Sequence, residues 1–383
     1  MKSRFTRVRT AIAVLSVGVL AVGCGSSPTD TGSRGSGGSG GSASDLAAVY
    51  AAVNGLTGDA RYEKLLSLAK QEGGTVSFYH SGNMTKENKV FTAKTGIKVA
   101  DFQATSERVA ERVSQESKAG QQGSDVVLGS AADMVTLQTQ GEIGKLDSPV
   151  SGFVTGDFKR DGLVSPIAIM MMPTYNTNAV KPSDLPKTWT DYFTTFSKRK
   201  GIELTDWPWL YTIVTHYFEH KKGMTEQQAI DLITKGMKGA STVDGHTLVS
   251  QLLASGQFDY VPNLYAQYVP GLVAKGAPIS YKGASEDLPP TLTRLYIGLT
   301  AGSSHPASGL LYLEWMMSSE GQKAVADAGY VAPANTYQGP PTLLQQYPYA
   351  LIDDSDELPA TVQAKWKQAF DTLLQNAGTT QKK

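Results

Sequence analysis

The spacing of apolar residues predicts alternating helices and strands over the first half of the chain. Apolar residues recur every three to four positions at 58–74 and at 106–120, which is typical of amphipathic helices. Runs of β-branched and aromatic residues at 75–80, 97–103 and 124–130 predict strands between them. Such alternation favours an α/β fold with a parallel sheet and helices on its faces.

Polar turns follow two of these predicted strands. Ser81, Gly82 and Asn83 follow the first strand, and Gly129 and Ser130 end the third. In open α/β sheets ligands bind beyond the carboxyl ends of the strands, where helix N-termini favour anions or oxygen-rich groups. We therefore expect these residues to contact a ligand, although the same residue types also serve as ordinary turns and caps.

The extended pattern at 165–180 predicts a crossing from one lobe to another. About 340 residues follow the N-terminal region, and a single hydrophobic core rarely serves more than about 250–300 residues. Within the crossing, Tyr175 and Asn176 are candidates for ligand contact or for packing at a hinge. Helical patterns from 188 to 276 predict the second lobe, and 277–283 predicts a strand that returns to the first.

Aromatic and polar side chains are concentrated at two places in the predicted second lobe. Tryptophans at a strand-to-helix junction can wall a ligand site, and they can equally pack in a core. The second-lobe candidates for ligand contact are Asp206, Trp207, Trp209, Tyr211, Asn263 and Tyr265.

The N-terminus has the pattern of a secretory signal peptide. Residues 1–9 carry Lys and Arg and no acid, and a mostly apolar stretch follows that is shorter than the about 20 residues of a membrane-spanning helix. Cys24, the chain's single cysteine, follows Ala-Val-Gly, which resembles a bacterial lipobox. This predicts export and a lipid on Cys24 that anchors the chain to the outer face of the cell membrane. The alternative is a free thiol.

The composition of the chain predicts a tether, argues against nucleic acid as a partner and excludes an internal disulfide. Residues 24–44 are dominated by Gly, Ser and Thr, which predicts a flexible tether. Removal of residues 1–23 leaves 31 basic against 35 acidic residues, a balance that argues against nucleic acid as a partner. A single cysteine allows no internal disulfide, so the fold must depend on its core.

Five segments, in order along the chain, resemble one protein family. Together they resemble the extracellular solute-binding proteins of bacterial ABC importers, and within these the ferric-ion-binding branch. The segments are AKQEGGTVSFY (69–79), FTAKTGIKV (91–99), SDVVLGSAADM (124–134), TYNTNAVKPSDLPKTWTDYF (174–193) and HPASGLLYLEWMMSSEGQKAVADAGYVAP (305–333).

The resemblance implies a two-lobed fold of the type II periplasmic-binding-protein kind, with a hinge of crossing strands and a ligand cleft between the lobes. It also implies a monomer without enzymatic activity or cofactor, which closes on a small solute and delivers it to an ABC permease in the membrane. The expected divisions are a signal peptide at 1–23, the tether at 24–44, lobe 1 at 45–172, lobe 2 at 173–280, and at 281–383 a return to lobe 1 followed by C-terminal helices.

The identity of the solute is narrowed only partly. Ferric members of the family bind iron through two adjacent tyrosines, and here the neighbours of Tyr265 are Leu264 and Ala266. The broken pair does not favour ferric ion or any metal, and the aromatic and hydroxyl-bearing candidates favour an organic or oxyanion solute.

Two alternatives to a transport function remain open. The string HYFEH, with His216 and His220, matches an inverted zinc-protease pattern and would suit a zinc-dependent hydrolase, but surface histidines on a helix give the same string. The second alternative is a sensor that presents its solute to a signalling protein.

Overall fold

The computed structural model describes residues 43–160 and 162–382. The predicted signal peptide, Cys24 and nearly all of the predicted tether lie outside the described residues. No helix in the described ranges is long and apolar enough to cross a membrane. The helices are α1 (Ala43–Ala52), α2 (Gly58–Gln71), α3 (Thr85–Thr95), α4 (Ser106–Lys118), α5 (Ala131–Thr139), α6 (Trp189–Thr194), α7 (Trp207–Thr212), α8 (Glu226–Gly236), α9 (His246–Ala254), α10 (Tyr268–Val273), α11 (Pro306–Met316), α12 (Ser319–Asp327), α13 (Leu343–Gln346) and α14 (Ala360–Asn376).

The strands form a larger mixed sheet and a smaller parallel one. The larger sheet has the order β2-β1-β3-β10-β5-β4, with β8 and β9 also paired to β5 and β11 to β10; the smaller has the order β12-β7-β6. The strands are β1 (Thr75–His80), β2 (Lys98–Gln103), β3 (Val126–Gly129), β4 (Lys159–Arg160), β5 (Leu163–Asn176), β6 (Gly201–Glu203), β7 (Ser241–Val243), β8 (Tyr260–Tyr265), β9 (Ile279–Ser280), β10 (Thr291–Leu299), β11 (Leu351–Ile352) and β12 (Thr380–Lys382).

The predicted βαβ alternation is confirmed at the start of the larger sheet. Strand β1 pairs in parallel with β2 and with β3, so their carboxyl ends lie at the same edge. Helix α4 begins where Thr105 accepts a hydrogen bond from the Arg108 N–H, and α5 begins where Ser130 accepts one from the Asp133 N–H. The α/β fold class is therefore confirmed.

The long strand β5 connects two separate hydrophobic cores. Its first part pairs with β10, and its last part pairs with β8 and β9. The part of the chain packed around the first core, which includes Phe78, Leu128 and Leu310, is called the first lobe below. The part packed around the second core, which includes Trp189 and Trp366, is called the second lobe. The predicted crossing at 165–180 covers nearly all of this strand and the four residues after it.

The return to the first lobe differs from the prediction. Only Ile279–Ser280 of the predicted strand at 277–283 is extended, and it ends against β5. The strand that returns is β10, which lies between β3 and β5 and is antiparallel to both. After the helices at 306–327, the chain goes back to the second lobe, where α14 joins the core and β12 pairs with β7.

Candidate ligand-binding site

The second lobe brings three of the predicted site residues together. Asp206 precedes α7, and Asn263 and Tyr265 lie at the end of β8. The Asn263 amide donates a hydrogen bond to the Asp206 carboxylate, and both residues are buried. Their closeness follows from the topology, because β8 packs beside β6, the strand that ends three residues before Asp206.

Two residues that the sequence did not single out complete this cluster. Glu203, at the end of β6, accepts hydrogen bonds from the Thr205 N–H (2.5 Å) and the Gly245 N–H (3.0 Å). Gly245 has a φ of 91°, a conformation that favours glycine, and it turns the chain so that His246 begins α9 beside the acids. The His246 Nε2 atom lies 3.1 Å from Asp206 Oδ1.

The electrostatics of this cluster favour a proton held between Asp206 and His246. Burial is the largest effect on Asp206 and raises the pKa of its carboxyl group. Burial acts against charge on His246, but the Asp206 carboxylate outweighs it and raises the pKa of the imidazole. Both shifts keep a proton within the pair, so one buried carboxylate is neutralised in the absence of any other cation.

Aromatic rings cover the cluster on one side. The Tyr265 ring stacks on His246 with centroids 3.7 Å apart and planes inclined by 19°. Tyr268 continues the stack at 6.1 Å from Tyr265. Burial raises the pKa of the Tyr265 phenol, and the nearby Asp206, Glu203 and Asp353 raise it further. Tyr265 is therefore a neutral hydrogen-bonding group in an acidic surrounding.

The turn after β1 contacts Tyr330, a residue of the first lobe that lies next to the contact with the second. The Asn83 N–H donates to the Tyr330 hydroxyl (3.2 Å), and the Gly82 carbonyl lies 2.6 Å from His80 Nδ1. The Ser81 Oγ is buried and has no hydrogen-bond partner in the part of the chain that the structure describes. The lobes touch beside Tyr330, because a Cβ placed on Gly329 would lie 2.9 Å from the Gln267 Cα.

The N-terminus of α5 is already occupied. Ser130 Oγ donates to Asp133 Oδ2 (2.8 Å), and the Ser130 N–H donates to Ser106 Oγ (2.8 Å). The Ala131 N–H donates to Asp356 Oδ2 (2.7 Å), a carboxylate from the C-terminal segment. Gly129 adds little room, since a Cβ there would lie 2.7 Å from Ser106 Oγ. The N–H groups expected to meet an anion thus meet a carboxylate of the chain itself.

The C-terminal segment also connects the two lobes through Asp353. This carboxylate accepts hydrogen bonds from Thr212 Oγ1 (3.3 Å) on α7 and from Thr293 Oγ1 (2.9 Å) on β10. Asp353 is buried and lies close enough to Tyr265 to affect its pKa. Asp353 therefore adds a third carboxylate near Tyr265.

The remaining predicted residues pack in the second lobe. Trp209 is 1% exposed and meets Trp189 edge-on at 5.8 Å, and Tyr211 meets Trp366 edge-on at 5.4 Å. Tyr175 is buried opposite Tyr260, which leaves these three with packing roles.

Asn176 and Trp207 are also held by neighbours within the second lobe. The Asn176 amide donates to the Leu253 carbonyl (2.9 Å), which fixes the end of β5 against α9. Trp207 is partly exposed, with the Lys367 amine 5.5 Å from its ring centroid. Asn176 therefore fits the hinge alternative, and Trp207 lies under a charge of α14.

The HYFEH string lies in irregular helix. Residues Ile213–Glu219 form a π-helix, so the α-helical spacing assumed for His216 and His220 does not apply. The His216 Nε2 atom pairs with Asp354 Oδ1 at 3.1 Å, and the two imidazole centroids are 6.0 Å apart and nearly perpendicular. His216 is thus part of a histidine–aspartate pair.

The family comparison identifies the protein class. Residues 89–373 match the family model of the bacterial extracellular solute-binding protein. The chain belongs to this family. It is thus a solute-binding protein of the kind that serves ABC transporters, as the sequence predicted, while no curated protein matches it.

Solved structures agree on the two-lobed fold. Iron-bound HitA from Pseudomonas aeruginosa is 19% identical with a TM-score of 0.64, over 77% of this chain and 99% of that one. An ABC-transporter substrate-binding protein from Agrobacterium tumefaciens is 14% identical with a TM-score of 0.64, over 78% and 94%. AgtB of the same species, in complex with agropinic acid, is 14% identical with a TM-score of 0.57, over 78% and 98%.

Proposed function

We propose that the chain captures a small solute between its two lobes and delivers it to an ABC permease, without chemical change to the solute. The observation that carries the site is a set of buried polar atoms, on both sides of the lobe contact, that have no hydrogen-bond partner within the described ranges. They are Ser81 Oγ from the first lobe and His246 Nδ1, Asn263 Oδ1 and Gln267 Oε1 from the second. Buried polar groups in native proteins are nearly always paired, so these atoms suit a ligand.

The charge of the site bears on the class of solute. Glu203, Asp206 and Asp353 lie around Tyr265, and in the described ranges no lysine or arginine forms an ion pair with any of them. The predicted oxyanion would be repelled here, and the predicted place for it at α5 holds Asp356. An organic solute with hydrogen-bond donors or a positive charge fits better.

The sequence and family membership support export of the chain. We propose that the chain is a monomer anchored by a lipid on Cys24 to the outer face of the membrane, with lobe boundaries near 172 and between 280 and 291 and with α14 back in the second lobe. A tether of about 20 residues keeps the binding lobes close to the permease and raises their effective concentration there. Nothing in the site favours the sensor or the hydrolase, so the transport role stands as the single proposal.

A thermal-shift screen tests the site. The panel holds amino acids, polyamines, sugars, phosphonates, phosphate esters and ferric citrate. Ligand at 100 times its Kd stabilises a protein by about 2.7 kcal/mol, enough for a clear shift. We expect Tyr265→Ala to abolish the shift given by the best compound, while Tyr62→Ala, at a partly exposed tyrosine on α2, leaves it unchanged. If Tyr265→Ala and Tyr62→Ala gave equal shifts with the best compound, the solute would not bind at Tyr265 and the proposed site would be wrong.

A further inference from the structure

The second lobe contains a compact group of metal-ligating side chains. Glu203, Asp206 and His246 each offer one ligand atom, and these atoms all lie within 4.8 Å of one another. The two acids are 3% and 5% exposed, and the imidazole is 13% exposed. Three different elements meet here, since the residues end β6, precede α7 and begin α9. The group therefore depends on the tertiary fold.

We propose that Glu203, Asp206 and His246 bind a divalent transition-metal cation. Two carboxylate oxygens and one imidazole nitrogen suit such ions, whereas an all-oxygen set would suit Mg²⁺ or Ca²⁺. Two buried carboxylates need positive charge nearby, and in the described ranges neither forms an ion pair with a lysine or arginine. A cation supplies that charge more fully than the proton shared by Asp206 and His246.

Unpaired atoms at the cluster point to a ligand independently of the acids. Asn263 is 1% exposed; its amide nitrogen contacts Asp206, and its Oδ1 has no partner among the described residues. A half-turn of the amide would replace the nitrogen with the oxygen beside Asp206, and an amide oxygen is a suitable fourth ligand for a divalent cation. His246 Nδ1, which also has no partner in the described ranges, is not the nitrogen beside Asp206 and stays available to the solute. The Tyr265 ring, stacked at 3.7 Å, holds the imidazole plane in place.

One of the three ligand pairs already has the spacing of a metal site, and all three ligand atoms lie within 4.8 Å of one another. Zinc bonds to nitrogen and oxygen are about 2.0–2.2 Å, so the ligand atoms of a tetrahedral site lie roughly 3.4 Å apart. His246 Nε2 and Asp206 Oδ1 are 3.1 Å apart, which is already close to that value. The Glu203 carboxylate keeps its backbone hydrogen bonds through the remaining lone pairs of its oxygens.

Calorimetry on the metal-stripped full chain tests this proposal, with Zn²⁺ as the probe and Mg²⁺ for comparison. We expect one Zn²⁺ per chain and much weaker binding of Mg²⁺. Loss of an outer partner of a metal ligand costs about 10–100-fold in affinity, so His246→Gln and Asp206→Asn should each cost about 100-fold or more. No Zn²⁺ binding by the wild-type chain would overturn the proposal.

The chain supplies a matched control. His216 Nε2 and Asp354 Oδ1 are also 3.1 Å apart, but no third ligand joins them in the described ranges. We expect His216→Gln to leave the Zn²⁺ affinity unchanged. If His216→Gln weakened binding as much as His246→Gln, the metal would lie at the HYFEH string and the proposal would be wrong.

A spectroscopic measurement protects the test against misfolded variants. Co²⁺ bound by the wild-type chain should show visible absorption bands that change on His246→Gln and not on His216→Gln, with unchanged circular dichroism in both variants. Co²⁺ absorption bands that stay the same in His246→Gln would contradict the proposal. The result is independent of the solute, because a chain can pass the thermal-shift screen and fail this test, or the reverse.

Discussion

Glu87 provides a sharp test of how burial acts in the first lobe. It lies in α3, is fully buried, and neither carboxylate oxygen has a partner among the described residues. Burial raises the pKa of Glu87 from 4.5 to about 7, and Lys86 offsets only a little of this effect. The folded chain therefore holds a proton on Glu87 that the unfolded chain releases near pH 4.5.

The raised pKa of Glu87 sets the direction in which the stability of the fold changes with pH. A carboxyl group with a raised pKa in the folded state gives its full stability below about pH 4.5, and this is lost progressively up to about pH 7. The rise in the pKa of Glu87 from 4.5 to about 7 corresponds to about 3 kcal/mol in the free energy of unfolding. Glu87→Gln removes this dependence, because an amide does not titrate.

Urea unfolding at pH 5 and pH 8 measures the effect. The variant also buries an amide, so its absolute stability is less informative than the difference between the two pH values. Between pH 5 and pH 8, the free energy of unfolding of the wild type should fall by up to about 3 kcal/mol more than that of Glu87→Gln. Glu63→Gln, at an exposed position of α2, should show the same change in unfolding free energy with pH as the wild type. Parallel pH curves for wild type and Glu87→Gln would refute the reasoning.

Two further predictions concern the ion pair between Arg61 and Glu314 and the proposed lipid anchor. The Arg61 guanidinium donates hydrogen bonds to the Glu314 carboxylate at 2.8–3.0 Å, and the two side chains are 9% and 13% exposed. Arg61→Met should therefore lower the free energy of unfolding by about 3 kcal/mol, because it leaves a largely buried charge unpaired, and Arg61→Met with Glu314→Gln should recover part of this loss in urea unfolding. Full stability of the single variant would contradict this. Cys24→Ala should release the chain from membranes and abolish labelling by palmitate, whereas unchanged fractionation would exclude the lipid anchor.

Local patterns predicted the early elements well because those elements depend on local signals. The helix starts at Thr105 and Ser130 carry capping side chains. Strand β10 was missed because its partners β3 and β5 lie more than 100 residues earlier in the chain, and only the assembled sheet shows that it belongs between them. Two-residue strands such as β9 show how weak a short apolar run is as evidence.

The second-lobe cluster contains only some of the residues singled out from the sequence, for the same reason. Asp206 and Tyr265 stood out through aromatic and polar neighbours in the sequence. Glu203 and His246 did not, because an acid at a strand end and a histidine after a glycine are common. Asp356 could not be predicted at all, since it reaches α5 from 225 residues away. The packing of Trp209 in the core shows that residue type alone does not separate a cleft wall from a core.

The chemistry of the cleft depends on whether the acidic cluster is filled. Without a cation, the proton shared by Asp206 and His246 offsets one carboxylate, Glu203 and Asp353 keep the surroundings of Tyr265 acidic, and Asp356 blocks the helix end that would otherwise hold an anion. With a divalent cation bound, the carboxylates of Glu203 and Asp206 are neutralised, and an open coordination position of the ion can hold an oxygen donor such as a carboxylate. The metal-free cleft would then favour solutes with a positive charge, and the metal-bound cleft would favour solutes with a carboxylate. The metal content of the chain therefore decides whether the cationic or the anionic compounds of a solute panel can bind.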